Sequence, residues 1–295
     1  MFPQSEELRI LTPVGMLGYG YDHSLFWAAI SEGAHAIICD SGSTDSGPAK
    51  LALGTMSCPR DFYTHDLEPL ILAAHEFNVP IIVGGAGGDG SNAHVDVFVE
   101  ITREIVKRRG LRSMKVLTIY SEIPKEIVHS ELEKGEIIPC GEAVPALSVK
   151  DLEETTRVVA QMGYEPYQRV MDENPDFDII IGGRSYDPAP YVAFCRHKGF
   201  VDLGIAHHMG KIMECGALCA QPKSREALAI IRFLPSIQNY VRSACKFEHE
   251  LKLTTYGTKD EISMFPESDT TLITSHSATI AIHGDARAKA QDEAT

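Results

Sequence analysis

The sequence predicts an α/β fold: an open, mostly parallel sheet with helices on both faces, Rossmann-like in build. Three observations carry that prediction. Short apolar runs alternate with amphipathic stretches through the first three-quarters of the 295 residues. The apolar runs are nearly continuous in Ile, Val and Leu, as strands buried on both faces are. The unusual Gly- and Asp-rich loops each follow one of these runs, on the rim where open α/β sheets bind ligands.

The elements follow in order. "LRILTPV" (8–14) reads as a buried strand. "YDHSLFWAAISEG" (21–33) reads as a helix that starts near Asp22 or Ser24 and stops at Gly33. "AHAIICD" (34–40) is the second strand and closes on Asp40. "FYTHDLEPLILAAHEFN" (62–78) is helical despite Pro69, and "VPIIVGG" (79–85) is the third strand. "NAHVDVFVEITREIVKRRG" (92–110) is a long amphipathic helix with apolar positions 95, 98, 101, 105 and 106. "MKVLTIYSE" (114–122) is the fourth strand, and 124–134 and 148–163 are helical. "FDIIIGG" (177–183) is a further strand and "APYVAFCRHKG" (189–199) a further helix. The rhythm changes near residue 225. Beyond it the chain is rich in Ser, Thr, Asp and Lys, with one strand, "ATIAIHG" (278–284), and a polar tail expected to fray.

Composition narrows the function. Hydrophobic residues make up 44% and charged residues 23%, enough for a sizeable core without disulfides. The formal net charge is −14, from 41 acidic and 27 basic residues. No basic face is evident beyond "KRRG" (107–110), which excludes nucleic acid as a partner. The seven cysteines form no CxxC pair, the usage of a reducing compartment. The opening "MFPQSEELRI" has neither a basic n-region nor an apolar h-region. No apolar run approaches the ~18 residues of a membrane span. These features predict a soluble, cytoplasmic protein with no membrane partner.

Chemistry is expected on the strand-end loops. "VGMLGYGYDHS" carries Gly15, Gly18 and Gly20. "CDSGSTDSGP" carries Asp40, Ser43, Thr44 and Asp45. "GGAGGDGSNAH" carries Gly85, Gly87, Gly88, Asp89, Asn92 and His94, and "GGRSYDPAP" carries Arg184 and Asp187. Glycines let backbone approach a ligand, and successive N–H groups can cradle an anion. A carboxylate at the end of a buried strand is desolvated, which raises its pKa and suits proton transfer. An Arg at a strand end can clamp a carboxylate or phosphate.

The catalytic candidates are therefore Asp40, Asp45 and His94. The candidates for substrate binding are Ser43, Thr44, Gly85, Gly87, Gly88, Asp89, Asn92, Arg184 and Asp187. Each has a structural alternative. The loops can be tight turns, and Asp22 and Asp187 can be helix caps or turn formers. Asp40 can cap as readily as catalyse. Arg184 can pair with Asp187, and His94, in the first turn of its helix, can face the rim or simply solvent.

Other motifs are missing. "GMLGYG" has its glycines in the order G-x-x-G-x-G, not that of a dinucleotide loop, and no Walker Lys or G-x-S-x-G elbow occurs. "HHMGKIMECGALC" (207–219) adds His207, His208, Lys211, Glu214 and Cys215 without a recognised zinc spacing. Cys215 and Cys219, four apart, read as buried thiols on a helix face. No metal is assigned to the site, and the cofactor is left open.

Four of these stretches, "CDSGSTDSGP", "IIVGGAGGDGSNAH", "GGRSYDPAPYVAF" and "HHMGKIMECGA", together resemble the acyclic terpene utilisation family, over residues about 9–222. The resemblance implies an α/β protein linked to catabolism of acyclic terpenes or other branched carboxylic acids, often near acyl-CoA enzymes. It implies no agreed reaction. Asp40, Ser43, Thr44, Asp45, Asp89, His94, Arg184, Asp187, Glu214 and Cys215 lie in matching motif positions. Relatives are longer and continue the core where this sequence departs from them. The expected organisation is a core domain over 1–222 and a divergent or truncated C-terminal segment over 223–295.

The leading expectation is an enzyme for a small anionic substrate, a branched carboxylate or its CoA thioester, using enolisation, hydration or lyase chemistry. Backbone N–H groups of residues 84–91 and Arg184 would hold the anion, and Asp40 or Asp45 with His94 would move the proton. A second reading is a non-catalytic ligand-binding or assembly subunit of an acyl-CoA pathway; in general the protein is expected to form a homo-oligomer or join a partner subunit. A third is a divalent-metal hydrolase built on Asp40, Asp45, His208 and Glu214.

Overall fold

The computed structural model describes residues 8–43 and 46–216 and four later strands, Ala229–Phe233, Lys252–Tyr256, Ile262–Ser263 and Ala281–Asp285. Five parallel strands form the core sheet: β1 (Leu8–Thr12), β2 (Ala36–Asp40), β3 (Ile81–Gly84), β4 (Val116–Ile119) and β5 (Ile179–Gly182). Their order across the sheet is β4-β5-β3-β2-β1, and β6 (Ala229–Phe233) adds antiparallel to β1. The expected mostly parallel α/β sheet is therefore present. The strands β7 (Lys252–Tyr256), β8 (Ile262–Ser263) and β9 (Ala281–Asp285) form a separate antiparallel sheet in the order β8-β7-β9.

The central strands are apolar because both faces are covered. Every residue of β2, β3 and β5 is buried. Side chains alternate between two cores, as the two-residue repeat of a strand requires. Ile37, Cys39, Ile81, Val83, Ile179 and Ile181 enter one core. Ile38, Ile82 and Ile180 enter the other. Each fully buried Ile contributes about 1.5–3 kcal/mol through removal from water.

The first core is closed by helices α1 (His23–Ser31), α3 (Arg60–Phe77) and α4 (Asn92–Arg109) through Phe26, Tyr63, Leu70, Phe98 and Ile101. The second is closed by α7 (Glu165–Glu173), α8 (Ala189–His197) and α9 (Leu203–Met213) through Tyr167, Tyr191, Phe194 and Met209. Shorter helices come between these along the chain: α2 (Gly47–Leu53), α5 (Lys125–Glu133) and α6 (Val149–Glu154).

Local signals explain several boundaries. Asp22 caps α1, its side chain accepting from the Ser24 and Leu25 N–H groups. α4 ends at Gly110 in the left-handed conformation (φ 63°), behind Lys107, Arg108 and Arg109. Pro69 lies inside α3 without ending it.

Two expectations are corrected. The helix expected over 148–163 is confined to Val149–Glu154. Beyond it the chain runs extended: Ile123 N–H donates to Val158 O at 2.8 Å and Ala160 N–H to Ser121 O at 2.7 Å. Pairing with the end of β4 outweighs local helix preference in a stretch rich in Thr and Val. The helix expected to carry Cys215 also does not reach it, because α9 ends at Met213 and Glu214 caps it. Cys215 is exposed rather than buried. Cys219 and the polar tail beyond Asp285 lie outside the described residues.

Candidate functional site

β3 and β5 are neighbours, but the helices after them leave to opposite faces. α4 joins the layer of α1 and α3, and α8 joins that of α7 and α9. A crevice forms at such a reversal, outside the carboxyl ends of the strands. Here the loops after β2, β3 and β5 meet at that reversal.

These loops interlock through backbone. Ser41 N–H donates to Gly84 O and Ser43 N–H to Gly88 O, both at 2.9 Å. Gly85 and Ala86 N–H donate to Gly183 O (3.1 Å) and Gly182 O (3.0 Å), and Arg184 N–H to Gly90 O (3.1 Å). Such an approach leaves no room for side chains. A Cβ on Gly90 (φ +71°) would strike the Arg184 backbone nitrogen.

The expected anion cradle over residues 84–91 is largely occupied from within. Gly85, Ala86, Gly88 and Gly90 donate their N–H groups to carbonyls, and Ser91 donates to Asp89 Oδ1 at 2.9 Å. Residues 81–91 are all buried, and buried amides must find partners inside the protein. Gly85 and Gly88 therefore shape the loop with donors already engaged. Gly87 makes room for His94, whose Cβ lies 2.6 Å from where a Gly87 Cβ would sit.

The loop after β1 is closed in the same way by a residue that motif reading missed. Gly18 and Gly20 N–H donate to Asp66 Oδ2 at 2.7 and 3.0 Å, and Asp66 is 1% exposed. Its signal was a carboxylate set among Tyr63, Leu67 and Leu70 on the apolar face of α3.

Asp40 lies where the loops meet and is 6% exposed. Its Oδ1 accepts from Ser41 and Gly42 N–H, both at 2.9 Å. Burial pushes the carboxyl up to about 8. The carboxylates of Asp187 and Glu214 push the same way, against the Gly42 hydrogen bond and the Arg184 guanidinium.

Arg184 reaches the same corner. Its Nη1 lies 2.6 Å, and Asp40 Oδ1 3.2 Å, from the position a Gly42 Cβ would occupy. Nη2 stands 3.8 Å from Asp187 Oδ1, whereas Nη1 is buried with no hydrogen-bond partner among the described residues. A buried guanidinium nitrogen without an acceptor is costly, and an anionic ligand would relieve that cost.

Of the two alternatives for His94, rim or solvent, the structure excludes solvent. The residue is 7% exposed, and its Nδ1 meets Asp89 Oδ1 at 2.6 Å. The packing of Gly87 against the imidazole turns it inward. Asp89 Oδ2 is buried with no partner among the described residues.

Asp187 is not a helix cap, since Pro188 holds the N-cap position of α8. It turns instead to two cations, Arg184 and Lys211, the latter with Nζ 3.0 Å from Asp187 Oδ2. Lys211 also donates to Glu214 Oε1 at 2.6 Å.

Asn92 and Ser43 are engaged in structure. Asn92 Oδ1 accepts from Ser121 and Glu122 N–H, both at 3.3 Å, which ties α4 to the end of β4. Ser43 Oγ accepts from Ser46 N–H at 3.1 Å and shapes the entry to α2. Thr44 and Asp45 lie outside the described residues. Ser121, also missed from sequence, accepts from Arg184 N–H at 2.8 Å and donates to Gly90 O at 2.8 Å. Among the described residues, no three or more His, Cys, Asp or Glu side chains group to hold a metal ion, and no helix is long and apolar enough to cross a membrane.

Fold and site together define a doubly wound α/β protein with a buried acid, a guanidinium and a His–Asp pair around its switch point. Residues 28–230 match the model of the acyclic terpene utilisation family protein AtuA, and the chain belongs to that family. No curated protein and no solved structure matches it.

Proposed function

We propose that the protein is a catabolic enzyme that acts on a small branched carboxylate, or its CoA thioester, by acid–base chemistry of the enolisation, hydration or lyase type. The observation that carries this reading is the pairing of Asp40 with Arg184 in one buried corner. A carboxyl that titrates near 8 exchanges a proton readily at neutral pH. An unpaired guanidinium nitrogen beside it accepts the charge of a carboxylate, or of an enolate oxygen as it forms. In this scheme Arg184 fixes the substrate and Asp40 moves the proton at the adjacent carbon. His94, its Nδ1 held by Asp89, is assigned the role of second proton-transfer group. Arg184, rather than the loop amides, is the main anion binder. A cytoplasmic setting fits the free thiols of Cys39, Cys58, Cys140 and Cys195.

The test is α-proton exchange in D2O, followed by proton NMR, with branched carboxylates and their CoA thioesters. The wild-type protein is expected to exchange the α-proton of one of them. Asp40→Asn and His94→Ala are expected to stop the exchange. Unchanged exchange in Asp40→Asn would sink the assignment. Saturable binding without exchange would favour a ligand-binding or assembly subunit.

A further inference from the structure

Lys211 stands on α9, outside the loops that build the crevice, yet its ammonium reaches the crevice's carboxylates. Nζ lies 3.0 Å from Asp187 Oδ2 and 2.6 Å from Glu214 Oε1. The Lys211 side chain is 54% exposed, while those of Asp187 and Glu214 are only 13% and 9% exposed. Packing sets this reach. A Cβ on Gly210 would lie 2.7 Å from Pro188 Cβ, so glycine there lets α9 lie close against the start of α8. Asp187 thus sits between two cations, close to Lys211 and 3.8 Å from Arg184 Nη2.

Charge counting gives this arrangement a consequence. With Asp40 protonated, Arg184 and Lys211 balance Asp187 and Glu214. An incoming carboxylate then meets no net negative charge. Without Lys211 the same cluster carries one uncompensated negative charge. Among the described residues, Asp187 would also be left with Arg184 as its one cation, and carboxylate and guanidinium close readily into a two-bond fork. That fork would consume Arg184 Nη1.

We propose that Lys211 is a positioning residue of this site: by holding Asp187 and Glu214 it keeps Arg184 Nη1 available to the carboxylate of a bound substrate. The proposal rests on the reading of this crevice as a carboxylate site. The ionisable groups that act on Asp40 or feel its charge are Arg184, Asp187 and Glu214, together with Cys39, Tyr167 and Tyr191. Burial pushes the last three upward, so they stay neutral while Asp40 titrates.

The experiment uses the full chain with Lys211→Met, Lys211→Arg and Arg184→Met, and has two readouts. Calorimetry measures the binding of isobutyrate. Carboxyl 13C NMR, assigned with Asp40→Asn, follows the titration of Asp40 and needs no ligand. Lys211→Met is expected to weaken isobutyrate binding about tenfold or more. It is also expected to move the Asp40 midpoint to higher pH, because Asp187 and Glu214, which push the Asp40 carboxyl up, lose the ammonium that offsets their charge. Lys211→Arg is expected to restore both. A folded Lys211→Met protein with wild-type affinity and a wild-type Asp40 midpoint overturns the proposal. Loss of binding in Arg184→Met beside full binding in Lys211→Met removes only the role of Lys211. Full binding in Arg184→Met removes the carboxylate reading, and this proposal with it.

Discussion

Asp89 Oδ1 and His94 Nδ1 meet at 2.6 Å in a corner where the Asp89 side chain has no exposed surface. One carboxylate oxygen serves two donors, since Ser91 N–H reaches it as well at 2.9 Å. The loop after β3 is thereby tied to the first turn of α4, and the imidazole is oriented by the same bond.

Asp89→Ala removes both bonds at once and is expected to destabilise the protein by about 2–4 kcal/mol, the range for losing a buried charge-assisted network. Asp89→Asn is expected to cost less, because its amide oxygen can still accept from Ser91. Urea unfolding of the two variants distinguishes the cases. An alanine variant as stable as wild type would show that the pair does not hold the loop.

Asp40 predicts a pH dependence with a definite sign. Its folded-state pKa of about 8 lies above the ordinary value of 3.8. Between those values the folded protein keeps a proton that the unfolded chain releases. Stability contributed at this site therefore falls as pH rises from about 4 and levels off above about 8. Asp40→Asn, neutral throughout and able to accept the same two N–H bonds, is expected to flatten that fall and to be the more stable protein at pH 8. Parallel stability curves for the two proteins between pH 5 and 9 would count against a protonated Asp40.

Gly42 and Gly90 are expected to respond differently to alanine. Gly42 lacks a left-handed φ, and its new methyl would meet the far end of the Arg184 side chain at 2.6 Å. Gly42→Ala should fold, at a cost of about 1–3 kcal/mol, and should lose carboxylate binding because the guanidinium is displaced. Gly90→Ala meets fixed backbone at φ +71° and should cost more than about 3 kcal/mol. Thermal unfolding and ligand titration of the pair read both effects.

Asp66 predicts a local effect away from the catalytic candidates. Asp66→Ala removes the acceptor of Gly18 and Gly20 N–H, at about 2–3 kcal/mol. Amide hydrogen exchange should then quicken at those two glycines before it does in β2 or β3. Uniform quickening across the sheet would mean that Asp66 supports the whole core rather than one loop.

Much of the fold could be read from local pattern. β2, β3 and β5 are Ile- and Val-rich runs that close on Asp40, Gly84 and Gly182, and strands covered on both faces have that composition. α1 and α4 carried their own cap signals in Asp22 and Gly110. The stretch after Glu154 was misread because its partners lie far off in sequence. Met162 N–H donates to Arg184 O at 3.2 Å, and no local period reports such a bond. α7 likewise went unread, although Pro166 stands in its first turn.

The candidate site divides along the same line. Sequence alone determined that Asp40, Asp89, His94, Arg184 and Asp187 would stand at strand ends, because strand period and turn chemistry are local properties. Only the tertiary structure decided which of these ends are neighbours. β5 inserts between β3 and β4, and that crossing brings Arg184 beside Asp40. Tertiary structure also decided what the groups are free to do. Burial obliged the amides of Gly85, Gly88 and Gly90 to bond within the loops, turned His94 inward onto Asp89, and left Arg184 Nη1 without an acceptor. Desolvation is a property of the assembled core: the sequence set Asp40 at the end of a buried strand and so predicted a raised pKa, and the closure of the loops over it makes it an acid that holds its proton near neutral pH.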